Sequence, residues 1–162
     1  MDALIAQAAE DMVNHLTQSN LAKIADYYSY PAAVYFDTNV IVLQSREELL
    51  QALGLYRGAL RSRRLARIRT RVLQAPRIDR DRFTVTVSNV YHDHSGHDIG
   101  TSRIRFYVQR EGECLKIRLV EYLDWPCAQE LEENEHFQRL CAKGSMARSF
   151  GADGLERNLQ LH

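Results

Sequence analysis

Apolar side chains recur along this chain in two distinct periods, and the switch between them divides it. Over residues 3–18, Leu4, Ile5, Ala8, Ala9, Met12, Val13 and Leu16 fall on one stripe at helical spacing. Ser19-Asn20 supplies stop-and-cap chemistry before a second, shorter helix, in which Leu21, Ile24, Ala25 and Tyr28 recur at i, i+3, i+4, i+7. Pro31 ends that helix, because its ring pushes Tyr30 out of the α region. Residues 33–43 read as two short strands around a turn at Asp37-Thr38-Asn39. The third helix has the clearest start. Ser45-Arg46-Glu47-Glu48 matches a capping box, in which the Ser45 hydroxyl and Glu48 carboxylate each reach a backbone N–H. Leu49, Leu53, Tyr56 and Leu60 form its buried stripe, and Arg57, Arg61, Arg63 and Arg64 crowd the end where cations favour the helix dipole.

Beyond this point the period falls to two. Four β segments are predicted at about 65–78, 83–92, 99–110 and 115–123, with hairpin turns at His94-Ser95-Gly96-His97 and Glu111-Gly112-Glu113. After Trp125-Pro126 a weaker helical pattern covers 127–142 and stops near Gly144; residues 144–162 carry few large apolar side chains and read as a loose tail. Helices followed by a run of antiparallel strands predict an α+β domain: a curved, mostly antiparallel sheet with the N-terminal helices packed on its concave face.

Counting by twos then sorts the strand residues onto faces. Phe83, Val85, Val87, Asn89, Tyr91 and Asp93 share one side; so do Ile104, Phe106 and Val108; so do Ile117, Leu119, Glu121 and Leu123. These rows are apolar at one end and gain Asn89, Tyr91 and Glu121 toward the other, the usual anatomy of a small-molecule pocket. Glu121 is the sharpest pointer, since a bare buried carboxylate costs several kcal/mol or more. In a cavity its pKa would rise, as a general acid or base requires, with Asn89 or Tyr91 orienting it or polarising a substrate oxygen. The bland alternative is that Glu121 pairs with an arginine at a strand end. Tyr28 and Phe36, with Tyr30 and Tyr35, are placed to line the hollow from the helix and hairpin side.

Composition narrows the classes. At 162 residues the chain fits one domain, and 21 basic against 21 acidic residues leave no global field for nucleic acid or membrane. The longest apolar runs fall far short of the roughly 20 residues that cross a bilayer. The start Met1-Asp2-Ala3-Leu4 lacks the basic character of a signal peptide, and three cysteines without C-x-x-C spacing suit reduced thiols, so a cytoplasmic location is expected. His92-Asp93-His94-Ser95-Gly96-His97-Asp98 holds metal-ligand types, but alternation splits them between faces and a hairpin tip needs such residues anyway. No metal and no cofactor is expected. Arg67, Arg69, Arg71, Arg103, Arg105 and Arg118 suggest a basic outer sheet face, for which the acidic run 129–135 offers counter-charge. An interface reads better there than nucleic acid.

Ile24-Ala25-Asp26-Tyr27-Tyr28-Ser29-Tyr30-Pro31, the capped Ser45-Arg46-Glu47-Glu48-Leu49, Arg103-Ile104-Arg105-Phe106-Tyr107-Val108 and Ile117-Arg118-Leu119-Val120-Glu121-Tyr122 follow one another in an order that resembles the nuclear-transport-factor-2-like superfamily, also called SnoaL-like or cystatin-like. The resemblance covers about residues 3–126, leaving 127–162 as a C-terminal extension. It implies a cone with a deep pocket between sheet and helices, and commonly a homodimer through the outer sheet face. Its members include dehydratases, isomerases, cyclases and hydrolases as well as non-catalytic binding modules, so the fold does not choose among them. The catalytic Asp–His pairs of some SnoaL-like enzymes have no matching motif here. The expectation is a domain holding a small, largely apolar ligand, lined by Asn89, Tyr91, Phe106, Leu119, Tyr28 and Phe36. An acid/base enzyme centred on Glu121 and an interaction module using the outer face stay open beside it.

Overall fold

A computed structural model describes residues 2–36, 39–125 and 128–143. The expected turn at Asp37-Thr38, the Pro126-Cys127 junction, the stop near Gly144 and the tail lie outside the described residues. The elements run α1 (Asp2–Thr17), α2 (Leu21–Ala25), β1 (Tyr28–Phe36), β2 (Asn39–Leu43), α3 (Arg46–Ser62), β3 (Leu65–Gln74), β4 (Arg82–Asp93), β5 (Asp98–Glu111), β6 (Cys114–Asp124) and α4 (Ala128–Glu132), followed by a helix α5 over 135–143. The strands form one six-stranded sheet in the order β2-β1-β6-β5-β4-β3, in which only the β1·β6 pair is parallel. This is the α+β fold the pattern predicts. No helix among the described residues is long and apolar enough to cross a membrane.

The helix starts follow their caps. Ser45 is extended at φ −143 and its Oγ accepts the Glu48 amide at 3.3 Å, while the Glu48 carboxylate reaches back to the Gln44 amide at 2.8 Å. Arg57 does not serve its own helix end: its guanidinium donates to the Leu16 and Thr17 carbonyls at 3.0 and 3.2 Å, capping α1. That bond ties α1 across α3. At Asn134 the side chain accepts from the His136 and Phe137 amides at 3.0 and 3.1 Å, so the helical pattern read as one segment over 127–142 breaks into two.

Tyr28 is where local pattern and structure part. Its spacing fits α2, yet it opens β1, because Ile117 donates its amide to the Tyr27 carbonyl at 2.7 Å and pairs with Tyr28 across the parallel ladder. A strand partner satisfies these backbone groups where the helix would have ended at Pro31 regardless.

The core lies between the concave sheet face and the helices. Leu43 and Leu60 are fully buried, with Val120, Leu49 and Ile24 nearly so. On the other face Arg67, Arg69 and Arg71 are exposed, as alternation predicts. Arg103, Arg105 and Arg118 are answered by acids of the sheet itself: Asp124 at 2.8 Å, Glu121 at 3.1 Å and Glu111 at 2.9 Å. The acidic run therefore does not supply their counter-charge. Its Glu130 instead grips Arg63 at the end of α3 through both carboxylate oxygens, which holds the Glu130 carboxyl below the usual carboxylate range.

Candidate ligand-binding site

In β6, Ile117 lies opposite Val108 but Leu119 lies opposite Tyr107, so two residues on one strand face one on the other. This is a β-bulge at Arg118, and it reverses the parity of residues 119–122, up to a second extra residue at Leu123. The row Val85, Phe106, Val120 and Val34 crosses β4, β5, β6 and β1 on the concave side, and Val87, Ile104, Tyr122 and Phe36 form the next. Leu119 and Glu121 point outward. They border an open groove of about 850 Å³ with Tyr35, Tyr107 and Asp124. Glu121, expected in the hollow, is thus corrected to the outer face, where its Oε2 accepts from Arg105 Nη1 at 3.1 Å and the Tyr107 hydroxyl at 3.3 Å. Its side chain is 35% exposed. Pairs in such surroundings contribute about 0–1 kcal/mol. Glu121→Gln is accordingly expected to move the urea unfolding free energy by less than about 1 kcal/mol; a loss of several would mean that the carboxylate is buried after all.

The concave face carries its own polar row. Thr70 on β3, Asn89 on β4 and Ser102 on β5 are direct cross-strand neighbours, bounded on one side by Val72, Val87 and Ile104 and on the other by Ile68 and Tyr91. Tyr56, projecting from α3, meets Tyr91 hydroxyl to hydroxyl at 2.7 Å, and Tyr91 meets Ser102 Oγ at 2.8 Å. Asn89 Nδ2 donates to the same Ser102 oxygen over a long 3.4 Å. Asn89 is 4% exposed and Ser102 is fully buried, yet Asn89 Oδ1 and Thr70 Oγ1 have no hydrogen-bond partner among the described residues. Thr70 and Asn89 line a hollow of about 60 Å³ whose other walls are Met12, Val13, Leu53, Ile104, Phe106 and the rings of Tyr28, Tyr56, Tyr91 and Tyr122. Burial lifts the Tyr28 phenol well above its ordinary pKa, so this ring stays neutral.

Two further spaces adjoin it. A second hollow of about 60 Å³ shares Tyr28, Leu53, Tyr56 and Tyr122 with the first and is closed by Phe36, Trp125, Leu131 and Phe137. A more open apolar groove of about 320 Å³ runs between α1 and β4–β6, sharing Ala9, Met12, Val87 and Phe106 with the first hollow. Of the residues singled out by sequence, Asn89, Tyr91, Phe106 and Tyr28 therefore converge on one hollow. Phe36 borders the second, and Leu119 lies outside with Glu121. The interior is narrower than the deep pocket expected, because tyrosine rings fill its middle. Thr70, Tyr56 and Ser102 escaped the sequence reading of the site. Thr70 had a visible signal, as the polar member of an inward row with Ile68 and Val72. Ser102 needed the β4·β5 register.

Among the described residues, no Asp, Glu, His, Lys, Arg or Cys lines the first hollow. The histidine-rich turn is used locally: Asp93 Oδ1 accepts the Ser95 and His97 amides at 2.8 and 2.9 Å, and His92 Nδ1 meets Asp98 at 2.9 Å. Among the described residues no three metal-ligand types gather closely enough to hold an ion.

A bent sheet enclosing helices on one face, with a tyrosine-filled hollow between them, defines a cystatin-like α+β cone. The chain belongs to a family of NTF2-like proteins (DUF6841), whose profile matches residues 2–122. Solved structures agree on the fold. A cystatin-like domain of unknown function from Nostoc punctiforme superposes with a TM-score of 0.61 at 12% identity, covering 96% of each chain. A second cystatin-like protein of that organism gives 0.56 at 14%, covering 72% of this chain and 84% of its own. An NTF2-like protein of unknown function from Shewanella oneidensis gives 0.57 at 8%, covering 73% and 94%. The comparison with curated proteins gave no match. At such identities the likeness concerns the fold, and α4 and α5 lie beyond the matched family span.

Proposed function

We propose that this protein is a binding module for a small, neutral, largely apolar molecule that enters through the α1 groove and lodges its polar end in the concave hollow. The observation that carries this reading is Asn89: an amide about nine-tenths buried or more, at the edge of an apolar space, with its carbonyl oxygen unpartnered. A group left so costs about 1–3 kcal/mol, which a ligand hydrogen bond would offset. The groove's volume of about 320 Å³ stands at the lower end of small-molecule sites, roughly 300–1,000 Å³. Its lining is mostly apolar from α1 (Leu4, Ile5, Ala8) to the sheet (Phe83, Val85, Val108), with Asp26 and Lys116 also lining it. A charged ligand finds no counter-ion in the hollow, and burying its charge there would cost several kcal/mol.

The same lining weighs against acid/base catalysis. Of titratable groups among the described residues only tyrosine hydroxyls line the hollow, and the one carboxylate considered for the chemistry is on the far side of the sheet in an ion pair. The test uses N-phenyl-1-naphthylamine, a neutral apolar fluorophore with one N–H. Saturable enhancement of its emission is expected with the wild-type protein, and at least about a tenfold loss of affinity in Ala9→Phe, which fills the junction between groove and hollow (one lost contact set of 1.4 kcal/mol or more). Unchanged affinity in a variant that remains folded by circular dichroism would remove the interior site.

A further inference from the structure

The polar row at the bottom of the hollow selects among neutral ligands. Resting on the binding reading above, we propose that the ligand's polar group is a hydroxyl, seated between Thr70 and Asn89, so that the protein takes alcohols in preference to hydrocarbons, acids or amines of the same size.

The argument is a count of donors and acceptors. Ser102 Oγ already meets Tyr91 at 2.8 Å and receives the Asn89 Nδ2 donor at 3.4 Å. Asn89 thus turns its carbonyl oxygen to the hollow, where it requires a donor. Thr70, its direct neighbour across β3·β4, has a buried hydroxyl with no partner, able to give or take one bond. A ligand O–H can donate to Asn89 Oδ1 and accept from the Thr70 hydroxyl at once. If the amide turns by half a rotation, Asn89 accepts from Ser102 and offers an N–H to the hollow. The ligand oxygen then accepts from Asn89 and donates to Thr70. A hydroxyl satisfies both residues in either orientation. A ketone or ether has no proton for Asn89 Oδ1 in the first arrangement and satisfies both residues only in the other, by accepting from the Asn89 N–H and the Thr70 hydroxyl. A carboxylate brings acceptors only and a charge; an ammonium brings donors only and a charge. The lining holds no side chain to neutralise either.

Two further features fit a small alcohol. The hollow of about 60 Å³ admits a polar end and a few carbons, and the remainder of the molecule continues past Met12 and Phe106 into the apolar groove. The rings of Tyr28 and Tyr122 also border the hollow, so the hydroxyl would be held away from bulk water, where one hydrogen bond discriminates most strongly.

The experiment compares cyclohexanol with methylcyclohexane, in which a methyl replaces the hydroxyl, and with cyclohexanecarboxylate and cyclohexylammonium. Each is titrated as a competitor of N-phenyl-1-naphthylamine on the full chain. Cyclohexanol should displace the probe at least about tenfold more tightly than methylcyclohexane, and both ions more weakly still. Asn89→Leu and Thr70→Val each keep the branching of the side chain and remove an unpartnered polar group, so either should fold; each should erase the alcohol's advantage over methylcyclohexane, read as the ratio of the two affinities within the same variant. Equal displacement by cyclohexanol and methylcyclohexane overturns the hydroxyl assignment and leaves the apolar-ligand reading standing. Tighter binding of either ion overturns it as well. Failure of the probe and of all four competitors to bind, as for a hollow that holds only water, overturns both readings together.

Discussion

Phe137→Ala is expected to lower the unfolding free energy by about 3–5 kcal/mol, measured in urea, with the emission of Trp125 shifting to longer wavelength. That is a large share of the roughly 5–15 kcal/mol that holds a domain folded. The expectation follows from where the extension lies. Phe137 is 6% exposed, stacks on Phe36 with centroids 5.1 Å apart, and lies 6.0 Å from Trp125. Leu131 and Leu140, from the two helices α4 and α5, are buried beside it. Phe137 and Leu131 wall off the second hollow with Phe36 and Trp125, so removing the ring leaves a cavity that joins existing space and relaxes poorly. The bidentate Arg63–Glu130 pair fixes the approach of α4 to α3 but is about a third exposed, so its own contribution is at most about 1 kcal/mol. An appendage merely resting on the surface would respond within about 0.5 kcal/mol, which is the result that would detach residues 128–143 from the fold.

The element order was legible because each piece carried two concordant signals, period and punctuation. Ser45 with Glu48 marked a helix start that the structure keeps, and the turns at 94–97 and 112–113 fall between β4, β5 and β6 as expected. Tyr28 shows the limit of period alone: its helical spacing with Ile24 is real, but a backbone bond from Ile117, distant in sequence, claims the segment for the sheet. Glu121 shows a second limit. Around it Leu119 and Leu123 are apolar in one parity and Val120 and Tyr122 in the other, so composition could not choose a face. Only an uninterrupted count from Ile117 did, and the bulge at Arg118 interrupts it. The facing of the β4 residues follows the count because β4 carries no such break between Phe83 and Tyr91. There the count by twos places Asn89 and Tyr91 inward, as found. The walls supplied by α1 and the closure by Phe137 depend on tertiary packing that no local pattern encodes.

Deleting Arg118 is expected to cost no more than about 1 kcal/mol beyond Arg118→Ala, measured by urea unfolding. The two changes remove the same side chain, which is 44% exposed and bonded to Glu111 at 2.9 Å. They differ in one backbone residue, and that residue is the extra one of the bulge. Val108 and Tyr107 are consecutive on β5 and face Ile117 and Leu119. With Arg118 gone these two become neighbours and pair regularly, so Ile117, 5% exposed, and Val120, 2% exposed, both stay inward and Glu121 stays beside Arg105. A strand paired residue for residue through Arg118 responds differently. There the deletion turns one flank over and brings buried side chains out of the core, at a cost of about 2–5 kcal/mol. A loss of that size in the deletion variant alone would mean that β6 runs through Arg118 without a bulge, and the inward and outward assignments of residues 119–122 would have to be exchanged.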